Sequence, residues 1–182
     1  MFRKIFLGMA VMALVAGGVF AQTLVDLSAG PDTSQETDFT ADVHEQARVL
    51  VPATVNFEVA DVAADTDADA AASVDITQIA LAAGNQLKVS IASPAAFSTP
   101  AAESTATWAA SSVSWASTWT NGTNNDGALT TDSSYTEVAT CDEDPTGAAC
   151  STDDLLFTLA SDTDVIRAGN HTLTITWKFQ SI

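Results

Sequence analysis

The chain has 182 residues, and its 23 acidic side chains against 6 basic ones give a formal net charge of −17. A surface this negative repels phosphate backbones and anionic lipid headgroups, so we expect no nucleic-acid binding and no membrane-surface binding. The length suits one folded domain with a sizeable core.

The N-terminus has the pattern of an export signal. Phe2-Arg3-Lys4 gives a short positive start, residues 5–19 are almost wholly apolar, and Val19-Phe20-Ala21 offers a cleavage site. We therefore expect a signal peptide over residues 1–21 and a single domain over residues 22–182. The apolar run is short for a membrane span, so we expect no membrane insertion of the mature chain. Cleavage removes both basic residues of the signal and leaves a formal charge of −19.

Short runs of alternating apolar and polar residues follow, which is the pattern of half-buried β-strands. Residues 47–51 and 55–59 both alternate in this way, and Pro52 lies between them. A Pro between two runs of the same phase favours an edge strand or a bulge over a central strand.

The next two runs predict a β-hairpin. Residues 74–81 lead to Gly84-Asn85, a pair that tolerates positive φ, and residues 87–91 then alternate again. Further strands are predicted around Val113 and Trp115, and over residues 135–140.

The C-terminal third contains the clearest alternation. Residues 155–159 place Leu and Phe on one face, and residues 172–179 alternate Thr or Lys with large apolar side chains. Seven to nine short strands without a helical pattern predict an all-β fold. We expect an antiparallel β-sandwich of the immunoglobulin-like or jelly-roll type.

Cys141 and Cys150 are the only cysteines of the chain. They follow an export signal and flank a compact polar turn, so we expect them to form a disulfide bond. The alternative is a metal pair, but no nearby His or third Cys completes a zinc shell.

Two acidic groups are candidates for cation binding. Asp65, Asp67 and Asp69 have the alternate spacing that calcium loops use. An EF-hand loop would also have Gly at its sixth position and Glu at its twelfth, where this chain has Ala70 and Ile76. The second group contains Asp142, Glu143, Asp144, Asp153 and Asp154 around the cysteine pair. A solvated acidic loop is the alternative for both groups, and no other cofactor is indicated.

No catalytic residue is assigned. The run from His44 to Arg48 begins like a zincin helix, but Arg48 occupies the position of the second His. Among the four Trp residues, Trp115, Trp119 and Trp177 share a phase with apolar strand neighbours and are expected in the core. Trp108 lies in an Ala, Ser and Thr-rich stretch and is the candidate for an exposed glycan contact.

The last turn and strand, residues 168–179 (AGNHTLTITWKF), resemble the ending of bacterial secreted sandwich proteins of the spore coat U and fimbrial pilin-like groups. The resemblance covers this tail and the general strand rhythm. It implies that an N-terminal extension fills a groove in a neighbouring copy, and Leu24, Val25 and Leu27 are suited to that role. The alternative is that residues 22–29 pair within their own sheet.

The sequence therefore predicts a non-enzymatic structural protein that is secreted or on the cell surface, with the periplasm as a further location. It is expected to be a subunit of an extracellular assembly, with self-association or another surface protein as its partner. A carbohydrate-binding or calcium-binding adhesion module is the first alternative. A secreted hydrolase is the second.

Overall fold

A computed structural model of the chain describes residues 38–100, 106–142 and 148–182. The chain divides into two compact units, Met1–Ala41 and Asp42–Ile182. The second unit is all-β, with two antiparallel sheets that pack face to face, which confirms the predicted antiparallel sandwich. The predicted signal peptide over residues 1–21 lies outside the described residues. Within the described residues, no helix is long and apolar enough to cross a bilayer.

The described residues form ten strands in two sheets. The six-stranded sheet has the order β1 Gln46–Leu50, β3 Ala72–Ala80, β9 Cys150–Leu159, β5 Val113–Ala116 and β7 Gly127–Ala128, with β2 Thr66–Asp67 also paired to β9. The four-stranded sheet has the order β10 Thr176–Ser181, β4 Leu87–Ala92, β8 Thr136–Cys141 and β6 Gly122–Asn124. The count exceeds the predicted seven to nine because β2, β6 and β7 are too short to show alternation.

The core lies between the central strands of the two sheets. Val74 and Ile76 of β3 and Leu155 of β9 are fully buried, as are Val89 and Ile91 of β4 in the facing sheet. Successive side chains of a strand point to opposite faces, so the alternation in the sequence becomes one buried face on each sheet. β1 ends the six-stranded sheet, which confirms the edge position predicted from Pro52.

The predicted hairpin at Gly84-Asn85 is wrong. The turn is present, since Gly84 has a φ of +86° and the Asn85 N–H donates to the Ala82 carbonyl at 3.0 Å. However, β3 before the turn pairs with β1 and β9, whereas β4 after it pairs with β10 and β8. The turn therefore carries the chain from one sheet to the other. Turn residues alone do not distinguish this crossing from a hairpin.

Two of the predicted strands are absent or shorter than expected. Residues 51–59, here called segment A, keep half-buried side chains on one face but belong to no strand. Residues 173–175, here called segment B, show the same alternation, yet β10 begins only at Thr176. Apolar alternation predicted the buried faces correctly. Strand pairing also requires a neighbouring strand, and among the described residues neither segment has one along its length.

Candidate functional site

Segments A and B both have unpaired backbone. Among the described residues 53–59, only the Asn56 carbonyl is in a backbone hydrogen bond, which it accepts from the Asp69 N–H at 2.9 Å. Segment B has no backbone hydrogen bond within the described residues. Unpaired N–H and C=O groups at the margin of a sheet are ready to pair with an added strand.

A groove of about 1260 Å³ is lined by segments A and B. Its floor is the buried core, where Val113, Phe157 and Leu159 are each at most 5% exposed. The side chains from the two segments are only half-buried, and they include Val55, Phe57, Val59, Leu173 and Ile175. Covering such apolar surface stabilises a complex by about 25 cal/mol for each Å² removed from water. The groove is therefore suited to an apolar occupant.

The groove differs in charge from the rest of the molecule. Among its described lining residues none is acidic, although the chain has 23 acidic residues, and Arg167 is the one with a permanent charge. Arg167 is exposed, and within the described residues its guanidinium has neither an ion pair nor a hydrogen bond. The site is thus apolar in its floor, without negative charge, and positive at one place on its margin.

His171 fixes the backbone of Arg167. The ring Nε2 lies 3.0 Å from the Arg167 carbonyl and Nδ1 lies 3.0 Å from the Thr107 hydroxyl. Since a carbonyl only accepts, Nε2 carries the proton and donates, and in the neutral ring Nδ1 accepts from Thr107. The edge of the ring also packs on Trp108, with centroids 5.2 Å apart. These contacts hold the margin of the groove in place.

The expectation that Trp108 presents an exposed ring is wrong. Trp108 is 5% exposed, its indole N–H donates to the Ala160 carbonyl at 3.1 Å, and its ring packs against Phe97. Its small and polar neighbours in the sequence suggested a loop, but the ring itself forms part of the groove floor. A glycan contact through Trp108 therefore has no support. Trp115 is buried as predicted.

The predicted disulfide between Cys141 and Cys150 is confirmed. Cys141 ends β8 in the four-stranded sheet and Cys150 begins β9 in the six-stranded sheet, so the bond joins the two sheets. Both residues are at most 1% exposed. Gly122 of β6 packs closely here, since an added Cβ would lie 3.0 Å from the Cys150 sulfur and 2.9 Å from the Thr140 carbonyl oxygen.

Two of the three carboxylates predicted to bind calcium accept hydrogen bonds from described residues. Asp65 accepts the Ser161 N–H at 2.8 Å, and Asp67 accepts the Thr158 hydroxyl at 2.7 Å. Asp69 is exposed. The residues that the structure describes contain no group of three or more His, Cys, Asp or Glu side chains able to hold a metal ion. The Asp65 and Asp67 side chains hold β2 and the residue before it against β9 and the residues that follow β9.

The second acidic group is also divided among separate contacts. Asp154 accepts hydrogen bonds from the Thr118 hydroxyl, from the Thr118 N–H at 2.8 Å and from the Thr152 hydroxyl at 2.7 Å. Because these bonds favour the charged form, they lower the pKa of Asp154 to about 2. Asp142 accepts from the Gln86 amide at 2.6 Å, while Glu143 and Asp144 lie outside the described residues.

Sequence reasoning did not identify the groove. The alternation of residues 55–59 and 172–179 was visible in the sequence. That these two segments lie on opposite margins of one groove is a property of the tertiary structure. One signal was present: Arg167 is the only basic residue between Lys88 and Lys178. Its position on an apolar margin became apparent only in the fold.

The chain was compared with protein-family models, with curated protein sequences and with solved structures, and none of the three comparisons found a match.

Proposed function

We propose that this protein is a secreted or cell-surface structural protein that assembles with copies of itself, each groove receiving an extended segment of a neighbouring copy. The observation that supports this is the groove, which has an apolar floor and, within the described residues, few backbone hydrogen bonds along both margins. A strand that enters it pairs with a margin through its backbone and covers the floor with alternate side chains. The disulfide bond and the N-terminal pattern are compatible with function outside the cytoplasm.

The occupant is residues 22–29 of the neighbouring copy. These residues include Leu24, Val25 and Leu27, and Asp26 is their only charged residue. An extended segment of this length spans about 26 Å, at roughly 3.3 Å per residue. The groove volume of about 1260 Å³ also exceeds the roughly 300–1000 Å³ of ordinary small-molecule sites, which favours a length of polypeptide.

A polar stretch connects this segment to the sandwich. Residues 30–41 contain several acidic side chains and a Pro, and no long apolar run. Extended, they reach about 40 Å, which is enough to hand the segment to a neighbour. A contact between a groove on one copy and an N-terminal segment on another joins unlike surfaces. Such head-to-tail contacts produce open filaments unless the rotation closes a ring.

The test compares the full mature chain with a chain lacking residues 22–37. Leu27→Asp places a charge on the apolar face of the segment, and Ser28→Asp is its matched control on the opposite face. Sedimentation velocity over a range of concentrations and negative-stain microscopy measure assembly. We expect oligomers that grow with concentration for the mature chain and for Ser28→Asp, and monomers for the deletion and for Leu27→Asp.

Oligomers that survive the deletion would contradict the proposal. So would a monomeric mature chain whose melting temperature falls on deletion, because the segment would then fill the groove of its own copy.

A carbohydrate-binding adhesion module is the second candidate, and a smaller cleft of about 360 Å³ favours it. Half-buried Trp119 lines this cleft together with Asp75 and Asp153, whose carboxylates have no hydrogen-bond partner within the described residues. An aromatic ring beside a few polar groups suits a sugar. Glycan binding that is lost in Trp119→Ala but retained in Tyr135→Ala, an exposed aromatic outside the cleft, would support this function. Equal binding by both variants would contradict it.

A further inference from the structure

The apolar face of the incoming segment does not by itself determine its register. A shift of one residue turns Val25 and Leu27 away from the groove floor, which the hydrophobic effect opposes. A shift of two residues keeps the same face buried and changes only which side chain meets which position. A second determinant is needed to select among registers that differ by two residues.

Arg167 has the properties of such a determinant. It is exposed on the groove margin, its backbone is fixed by His171, and its guanidinium has no partner within the described residues. The acids closest in sequence, Asp162 and Asp164, do not line the groove, and the Asp162 carboxylate accepts the Asp164 N–H at 3.0 Å. A guanidinium with no partner among the described residues can pair with a carboxylate of an incoming segment, whose two oxygens match its planar donors.

We infer that Arg167 sets the register of the assembled strand by pairing with Asp26 of the neighbouring copy, an inference that rests on the proposed function. Asp26 is the only one of residues 22–29 with a charged side chain, and Arg167 is the one permanently charged residue among the described residues of the groove lining. When Val25 and Leu27 face the floor, Asp26 lies on the opposite, outward face of the strand, because successive side chains of a strand alternate, and the long side chain of exposed Arg167 can reach it from the margin. The pair therefore joins a specific position of the segment to a specific position of the groove.

The pair also opposes the repulsion between copies. Two chains that each carry a formal charge of −17 or more repel at a distance. A groove whose described lining residues include no acid and one permanent cation gives the incoming segment a local attraction. Charge complementarity of this kind acts on the association rate and on register more than on the apolar contact itself.

The experiment is a charge-reversal cycle in the full mature chain, with the dissociation constant of assembly measured by sedimentation at fixed salt. Arg167→Glu and Asp26→Arg are each expected to weaken assembly about three- to tenfold, as reversal of an exposed pair should. The double variant is expected to return to within about twofold of the unmodified chain. Arg48→Glu, an exposed residue of β1 outside the groove, makes the same change in net charge and is expected to have less effect than Arg167→Glu.

Arg167→Gln removes the charge without creating a like-charge contact, and an intermediate weakening is expected. If Arg167→Glu weakens assembly no more than Arg48→Glu, or if the double variant is no better than the single ones, the register inference is overturned while the proposed function stands. If the unmodified chain stays monomeric at every concentration, both fall.

Discussion

Asp153 and Asp154 are neighbours in β9, but within the described residues only the Asp154 carboxylate accepts hydrogen bonds. The register of β9 against β3 shifts between the pairs Ala72–Leu155 and Val74–Thr152, so β9 has one extra residue there. Such a bulge leaves both aspartates exposed and re-aims their side chains. Asp154 reaches Thr118, which is 36 residues away in the sequence. Sequence spacing predicted the cysteine pair, but it could not predict contacts of this range.

We expect Asp154→Asn to lower the melting temperature at pH 7 by a few degrees, whereas Asp153→Asn leaves it unchanged. The pKa of Asp154 is about 2 when folded, below the roughly 3.9 of an unfolded Asp. The stability from its hydrogen bonds is therefore present above about pH 4 and is lost as the pH falls through about 2. Calorimetry from pH 7 to pH 2 should show the deficit of Asp154→Asn shrinking over that interval. A constant deficit would contradict this account.

We expect Gly122→Ala to destabilise the fold by about 1–3 kcal/mol, the usual range for overpacking. The added Cβ would lie 2.9 Å from a backbone oxygen and 3.0 Å from a disulfide sulfur, and neither atom can move aside easily. Thr123→Ala, at the exposed next position of β6, serves as the control. Urea denaturation measures both variants, and equal midpoints would show that β6 shifts to accept the methyl group.

Among the elements, the edge strand β1 is held at its start by a side chain that precedes it. One carboxylate oxygen of Glu45 accepts the Ala82 N–H at 2.8 Å, the Asn85 amide at 2.9 Å and the Ser181 hydroxyl at 3.0 Å. This links the turn between β3 and β4 to the end of β10. The strands themselves were largely predicted from alternation, because burial of one face is a local pattern. The sheet to which each belongs was not, because it depends on distant partners.

We expect Glu45→Ala to speed amide exchange at Ala82, since the N–H loses its acceptor. Glu58→Ala, an exposed carboxylate of segment A, is the matched control and should leave this exchange rate unchanged. Hydrogen–deuterium exchange near neutral pH measures the difference. The same hydrogen bonds lower the pKa of Glu45, the Ala82 bond most strongly, so the link weakens only under acidic conditions. Unchanged exchange at Ala82 would mean that another group replaces the carboxylate.

At the scale of the whole molecule, the two sheets of the described residues enclose a core that is fully buried at its centre and half-buried beside the groove. Val74, Ile76 and Leu155 are fully buried, whereas Leu173 and Ile175 remain half-buried beside the groove. The composition and strand rhythm were enough to predict an all-β sandwich. They were not enough to predict the groove, because its two margins lie far apart in the sequence and are brought together only by the tertiary structure.

We expect reduction of the Cys141–Cys150 bond to lower the free energy of unfolding by about 2–3 kcal/mol, from the loop-closure entropy of a short loop. Urea denaturation with and without reductant measures this, and a Cys141→Ala/Cys150→Ala variant controls for other effects of the reductant. Two titratable thiols in the untreated protein would contradict the bond itself.

The covalent link between β8 and β9 also determines how the molecule carries a mechanical load. It fastens the two sheets at the Cys150 end of β9, while Phe157 and Leu159 at the other end form the groove floor. A force that pulls the sheets apart is resisted by a covalent bond at one end and by noncovalent contacts at the other. These contacts are apolar packing and backbone hydrogen bonds such as that from the Ala110 N–H to the Ala95 carbonyl at 2.8 Å. Since such contacts break before a covalent bond does, the sandwich yields under tension on the side of the groove, and a strand bound there reinforces that edge.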